Sequence, residues 1–400
     1  MKMRASAGKE AMQSSSEEET DTVKLIQLPN FSPVPWLQQE AWAHMSRYEK
    51  ETFFEHITGG NFQTDRQDVR DHSRYFTTPA RFTKDDIDFG NGIDRVVLGH
   101  GPRRVLILVG IHGNEPCGVE AVRMILQKRR LFSGNNASVT SEDLSKDENW
   151  VDKLEMLFDD LTIEFLLGNP AALRQKRRFI QRNLNRLFDF NTLCDDELAD
   201  REGYRYELHR ARLITESIRH ADFVLDIHSC SSDVGSFALP SSLDLSECLA
   251  EHLPVKYVVE SLVHACLDGG TTLDAALWND VPGVCVECGQ HTHKDVVSRA
   301  AAVLSSFLRL QILQEDGAFA TSTRTDKPIT MICTNVERVS NGFEWLKEFP
   351  EFHFVAEEEP VFRDAERGVV KCPVEGGAFI VMPTAQPVIG EEALFWASAK

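Results

Sequence analysis

In VLILVGIHGNEPCGVEAV, residues 105–122, an apolar run stops at His112-Gly-Asn-Glu115 and an amphipathic run follows. An imidazole and a carboxylate three residues apart, at a strand-to-helix turn, can reach one cation. A second imidazole, His228, closes the apolar run DFVLDIH, and Glu287 lies near the end of GVCVECG. In α/β sheets ligands bind beyond the carboxyl ends of the strands, so these residues fall at one expected sheet edge. Two imidazoles and one carboxylate with an open fourth position form a catalytic zinc site. Zinc so held generates a nucleophile from water near neutral pH. Asp226, two residues before His228 on an extended chain, points to the same side. It could accept the other ring N–H of that histidine. Singly, a strand-end histidine is usually a structural residue; the combination is what points to metal chemistry.

The elements that must position these groups can be read along the chain. Apolar runs at 93–99, 104–110, 161–167, 222–228, 255–260 and 283–289 read as strands, several with both faces apolar, as in a covered parallel sheet. Helical spacing recurs at 36–57, 116–130, 199–219 and 293–313. Strands alternating with helices over about 90–315 predict an α/β domain, a mostly parallel mixed sheet flanked by helices. After about 317 the texture changes to short runs between Gly, Pro and charged turns, among them KPITMICTNVERV and GAFIVMPTAQPVIG. That texture predicts a small all-β C-terminal domain. The polar, turn-rich stretch 133–150 reads as a surface insertion. The expected division is a disordered tail over 1–22, an N-terminal extension over 23–90, the catalytic α/β domain over 91–316 and the β-rich domain over 317–400.

Composition limits the partners. The formal net charge of -19 argues against nucleic acid. No apolar run reaches the length of a membrane span, and MKMRASAGKEAMQSSSEEETD lacks the apolar segment of a secretory signal. Nine scattered cysteines do not form a disulfide framework. A cytoplasmic setting and a small-molecule partner are therefore expected. The oligomeric state stays open, a homo-oligomer included.

GIHGNEPCGVE, LGNPAALRQKRRFIQRNLNRLF, LDIHSC and CVECG occur in this order. Together they resemble the aspartoacylase and succinylglutamate desuccinylase family of zinc amidohydrolases, relatives of zinc carboxypeptidases. The resemblance is close over roughly 90–315 and weaker through the C-terminal region. It implies a carboxypeptidase-like sheet and one Zn2+ per chain held by His112, Glu115 and His228. It also implies Glu287 as the catalytic glutamate that activates water at the metal and then protonates the leaving amine. Arg178, in RRF, matches an arginine that polarises the scissile carbonyl; spacing alone leaves Arg177 and Arg178 equivalent. Asn185 and Arg186, in LNR, match residues that hold a substrate carboxylate, a task suited to the planar guanidinium. The implied activity is hydrolysis of the amide or ester bond of an N-acyl amino acid or related carboxylate-bearing molecule.

Other residues have simpler readings. Arg174, Lys176 and Arg182 read as a solvated basic face. Cys285 and Cys288 should point to opposite faces of a strand, which fits core residues better than a redox or zinc pair. His291 and His293 read as exposed loop histidines. The family's aspartate-gripping arginine and tyrosine have no match in LDGGTTLDAALWND, residues 267–280, where Leu273 lies near the arginine's place. The Gly-Gly-Thr turn there looks more like the desuccinylase branch, and N-acetylaspartate specificity is in doubt. Two further readings compete: a carboxypeptidase-like peptidase, and a non-catalytic ligand-binding protein that kept the fold.

Overall fold

The computed structural model of the protein describes residues 75–77, 89–90, 92–132, 160–201, 203–231, 235–262, 270–313, 327–385 and 387–400. The tail, the helix expected at 36–57 and the insertion expected at 133–150 lie outside the described residues.

The early strands are β1 (Tyr75–Thr77), β2 (Arg95–Leu98), β3 (Arg103–Val109) and β4 (Leu161–Leu167). Next come β5 (Phe223–Cys230), β6 (Phe237–Pro240), β7 (Tyr257–Glu260) and β8 (Gly283–Gln290). β3 pairs parallel with both β4 and β5, and β5 pairs parallel with β8. β6 runs antiparallel to β8, and β2 antiparallel to β4. The result is the mixed, mostly parallel α/β sheet expected. β4 is buried at every position and β3 along its last five residues, because helices cover both faces. Along β3, Val105, Ile107 and Val109 join one core cluster while Leu106 and Leu108 join another. The first cluster includes residues of helices Cys117–Phe132, Asp244–His252 and Val296–Leu313; the second includes residues of Arg205–Arg219 and Thr272–Trp278.

Four elements here differ from the sequence reading. The helix expected at 199–219 is two helices, Asp196–Asp200 and Arg205–Arg219. Arg201 closes the first in an extended conformation, and Gly203, at φ +89, follows before the second begins. β6 and the helices Asp244–His252 and Thr272–Trp278 were not anticipated. β6 is only four residues long, and Thr272–Trp278 starts from a Gly-Gly-Thr turn that reads as loop. A Thr271–Asp274 capping box opens that helix.

The C-terminal strands are β9 (Ile329–Arg338), β10 (Glu344–Trp345), β11 (His353–Val355), β12 (Pro360–Asp364), β13 (Gly368–Lys371), β14 (Ala378–Val381) and β15 (Glu392–Ala399). They form the β region expected, with β15 as a strand that the sequence reading passed over. β9 pairs parallel with β7, and β15 then joins β9 to β14 and β11. The β region therefore extends the α/β sheet itself. Only β10, β12 and β13 form a separate small sheet among the described residues. The chain boundary expected near 316–317 lies outside the described residues, and hydrogen bonding crosses it through β7 and β9.

At this seam Phe352 stacks on Tyr257, with ring centroids 3.9 Å apart, and meets Phe237 edge-on. The preceding residue, Glu351, is buried. Its Oε1 accepts the Met382 N–H, while Oε2 has no hydrogen-bond partner among the described residues. Burial pushes its carboxyl up to about 8, the Met382 hydrogen bond offsetting only part of this. An unfolded chain releases that proton near 4.5, so between these values the folded state holds more protons and stability falls as pH rises. Glu351→Gln is expected to match wild type below about pH 4.5. Its advantage should grow up to about pH 8, reaching the order of a few kcal/mol. Urea unfolding of both proteins from pH 4 to 9 measures it; equal stability throughout would contradict the buried-carboxyl account.

Candidate metal centre

β3 ends at Val109, and the chain turns through His112 and Glu115 into helix Cys117–Phe132. Gly113 makes the turn feasible, because a Cβ there would stand 2.0 Å from the backbone carbon of Ala172. Its N–H donates to the Arg178 carbonyl at 3.2 Å, which ties the turn to the arginine-rich segment. One strand over, β5 brings Asp226 and His228. On β8, Cys285 and Glu287 stand opposite them, Asp226 beside Cys285 and His228 beside Glu287.

His112, Glu115 and His228 are buried, and one ligand atom from each lies within 4.8 Å of the others. Glu115 Oε1 is 2.9 Å from His112 Nδ1, and Oε2 is 2.9 Å from His228 Nδ1. The opposite nitrogens have their own partners. His112 Nε2 is 2.9 Å from Asn183 Oδ1. His228 Nε2 is 3.0 Å from Asp226 Oδ2, in an ion-pair contact too bent for a formal hydrogen bond. Thr272 Oγ1 donates to that same Asp226 oxygen at 2.6 Å. With Nε2 facing an acceptor in both rings, the favoured neutral tautomer carries its proton there. Both Nδ1 lone pairs then face carboxylate oxygens, an arrangement that only a cation, a proton or a metal ion, relieves. Two imidazoles and a carboxylate are a zinc donor set. Asp226, His228 and Cys285 also converge, and burial together with the neighbouring carboxylates pushes the Cys285 thiol well up.

The electrostatics follow from this crowding. Burial, and then the Arg178 guanidinium, press His112 down to about 4. Burial also opposes a charge on His228, but Asp226 and Glu115 raise it well above its usual value. Burial would raise Glu115, yet the two imidazoles hold it well below the carboxylate range. Burial pushes Glu287 up to about 8, with His228 and Arg178 pulling against it. Its Oε2 is buried and takes no hydrogen bond among the described residues.

Of the two adjacent arginines, Arg178 reaches the centre, donating to Glu115 Oε1 at 3.2 Å. Arg174, Lys176 and Arg182 are exposed, as expected for a solvated face. Asn185 Oδ1 accepts the Thr272 N–H at 3.0 Å, fixing the start of helix Thr272–Trp278. Arg186 donates to Glu392 of β15 at 2.8 Å and to the Asn185 carbonyl at 2.6 Å. Cys285 and Cys288 pack into different core clusters, as their spacing predicts. His291 departs from its exposed-loop reading: it is half-buried, and its Nδ1 lies 2.8 Å from Ser229 Oγ.

Asn183, Glu207 and Ser229 escaped the sequence reading. Glu207, fully buried on helix Arg205–Arg219, accepts the backbone N–H groups of Ile180 at 2.6 Å, Gln181 at 3.1 Å and Arg182 at 3.4 Å. It thereby clamps the loop that carries Arg178 and Asn183. The Ser229 N–H donates to Glu115 Oε2 at 3.2 Å. Glu207 had one readable signal, a carboxylate on the inward face of an amphipathic helix; Asn183 and Ser229 had none beyond adjacency to Asn185 and His228.

Known proteins resemble this chain over part of its length. Residues 149–309 match the model of the succinylglutamate desuccinylase/aspartoacylase catalytic domain, a span that holds Arg178, Asn185, Arg186, Asp226, His228 and Glu287. A probable aspartoacylase of Acaryochloris marina is 28% identical over 161 residues, 38% of this chain and 45% of that protein. An N-acyl-aromatic-L-amino acid amidohydrolase (carboxylate-forming) of Xenopus tropicalis is 29% identical over 160 residues, 39% of this chain and 43% of that protein. The chain thus spans less than half the length of these curated relatives. Among solved structures, succinylglutamate desuccinylase from Vibrio cholerae superposes with a TM-score of 0.53 at 19% identity, covering 75% of this chain and 82% of that one. The Chromobacterium violaceum enzyme gives 0.52 at 17% identity, covering 78% and 89%. Motif order and these matches converge over part of the chain: residues 149–309 match the succinylglutamate desuccinylase/aspartoacylase catalytic domain, and the sheet has the fold of the solved desuccinylases.

Proposed function

We propose that the protein is a zinc-dependent hydrolase that cleaves the amide or ester bond of an N-acyl amino acid or a related small molecule bearing a carboxylate. The observation that carries the reading is the convergence of two Nδ1 atoms and the Glu115 carboxylate, each imidazole having an acceptor at its far nitrogen. His112, Glu115 and His228 would hold the ion, one per chain. Zinc, when bound, supplies a Lewis acid and makes water a usable nucleophile near neutral pH.

The chain's own residues do the rest. Glu287, opposite His228 and raised to about 8, takes a proton from the attacking water and returns it to the leaving nitrogen. A carboxyl poised near neutrality can serve both as base and as acid. Arg178 donates to the scissile carbonyl oxygen as that atom gains charge, which favours the transition state over the ground state. Arg186 holds the substrate carboxylate. Its guanidinium offers five donors, so it can exchange the Glu392 contact for a substrate oxygen without losing the Asn185 carbonyl. Asn185 supports Arg186 by anchoring helix Thr272–Trp278 beside it. Asp226 and Asn183 keep Nε2 protonated on the two imidazoles. Relatives named as aspartoacylase and as amidohydrolase of N-acyl-aromatic amino acids support the reaction class.

The direct test is metal analysis of the purified chain with a hydrolysis screen over N-acetyl, N-succinyl and N-aroyl amino acids, reading free amine. Stoichiometric zinc is expected in the wild type and its loss in His112→Ala/His228→Ala; zinc retained by the double variant would overturn the ligand assignment. Asn183→Ala should keep the fold but weaken zinc binding about 10–100-fold, the usual effect of removing a partner that orients a ligand. Competition with a chelator measures this, and unchanged affinity would remove Asn183 from the centre. Glu287→Gln should keep the metal and lose roughly 10²–10⁴ in kcat. Near-normal turnover in that variant would rule out Glu287 as the proton carrier.

A further inference from the structure

Three chain segments run side by side where β6, β7 and β9 begin. The Lys256 N–H donates to the Ser236 carbonyl at 2.9 Å, and the Ile329 N–H donates to the Lys256 carbonyl at 2.9 Å. β7 is parallel to both β6 and β9, so the three strands start at the same edge. Neighbouring strands lie about 4.8 Å apart, which gathers Ser236, Lys256 and Lys327 within about two strand spacings. Together with Arg299 of helix Val296–Leu313 they line a cavity of about 420 Å³ whose apolar wall includes Val255 and Ile329. Its lining carries three cations and no carboxylate among the described residues, on a chain with a net charge of -19.

The cationic groups are also placed. Lys256 Nζ stands 5.0 Å above the Tyr257 ring. Arg299 packs onto the backbone at Gly289, where a Cβ would stand 2.5 Å from its Nη1. Gly289 sits at φ +96 near the end of β8, so glycine both permits this backbone conformation and admits the guanidinium. The cavity lies on the face of the sheet that helix Val296–Leu313 covers. Val286 and Cys288 of β8 pack in the cluster that includes helix Val296–Leu313, whereas Cys285 packs in another. Glu287 shares the face of Cys285 by strand alternation, so the metal centre lies across the sheet from this cavity.

We propose that this cavity is a binding site for a compact polyanion, a phosphate or polycarboxylate group, distinct from the metal centre. Like charges gathered against low-dielectric walls attract a counter-charge more strongly than the same charges spread over a surface. Calorimetry at low ionic strength, on the full chain, with inorganic phosphate and with tricarballylate as separate probes, tests the site and tells the two chemistries apart. Saturable binding of at least one probe is expected, weakened at least about tenfold in Lys256→Gln/Lys327→Gln, since charge-assisted hydrogen bonds are among the stronger ones. Both lysines are exposed, so these substitutions leave the core untouched. Binding should persist in His112→Ala/His228→Ala. The proposal fails if neither probe binds below about 10 mM, if the lysine variant binds within about twofold of wild type, or if the histidine variant abolishes binding. The last result would assign the anion to the metal centre.

Discussion

A single buried carboxylate organises the centre. Glu115 receives His112 and His228 on separate oxygens, the Arg178 guanidinium on one of them and the Ser229 N–H on the other. These contacts come from the turn after β3, from β5 and from the segment after helix Pro170–Gln175. A carboxylate removed from water is tolerated only when each oxygen is met by a donor or a cation. Much of the surrounding geometry can be understood as meeting that condition. The register of β5 against β8 then sets Glu287 beside His228. Glu287 has no such set of donors, and its proton is held correspondingly more firmly. Two glutamates beside the same imidazole, one bonded to it and one facing it in register, are thus shifted in opposite directions because their partners differ.

The arginine-rich loop shows a similar division between charge and placement. Its basic residues are mostly solvated; what fixes the loop is Glu207, which gathers successive backbone N–H groups from below. Arg178 can therefore project into the centre from a backbone that is already anchored. Asn183 reaches the far nitrogen of His112 from the same clamp. The loop contributes a cation and a neutral acceptor to one imidazole's surroundings, and both depend on a carboxylate that never touches that imidazole.

The residues at strand ends were legible in the sequence because strand-end position and residue type coincide there: His112, His228 and Glu287 are chemistry-bearing groups interrupting apolar runs. The parallel sheet was legible for a related reason, since strands covered on both faces lose the polar alternation of half-exposed ones. What stayed hidden was neutral or local. Asn183 is an amide in a polar segment, and only the fold shows that it meets His112, 71 positions earlier. β6 ends at Pro240 after four residues, too short to establish a period. β15 holds EALFWASA, whose apolar centre carries no alternation because both of its faces are buried, Phe395 and Ala397 in one core cluster and Leu394 and Trp396 in another. Likewise nothing in the sequence links Arg186 to Glu392, since that contact depends on how the C-terminal strands return to the sheet.

That return has an outcome for how the chain can be divided. Parallel pairing of β9 with β7 places the C-terminal strands on what would otherwise be an open flank of the α/β sheet. A chain ending after helix Val296–Leu313 would leave β7 with a row of unsatisfied peptide groups, a template for pairing with another molecule. Glu392 would leave with the same excision, taking the carboxylate partner of Arg186 with it. The two regions are thus joined through backbone and through several side chains, Phe352 on Tyr257 and Lys400 on Glu260 as well as Glu392 on Arg186. Recombination with relatives would have to exchange β7, β9 and β15 as a set, so this part of the molecule behaves as one inheritable block.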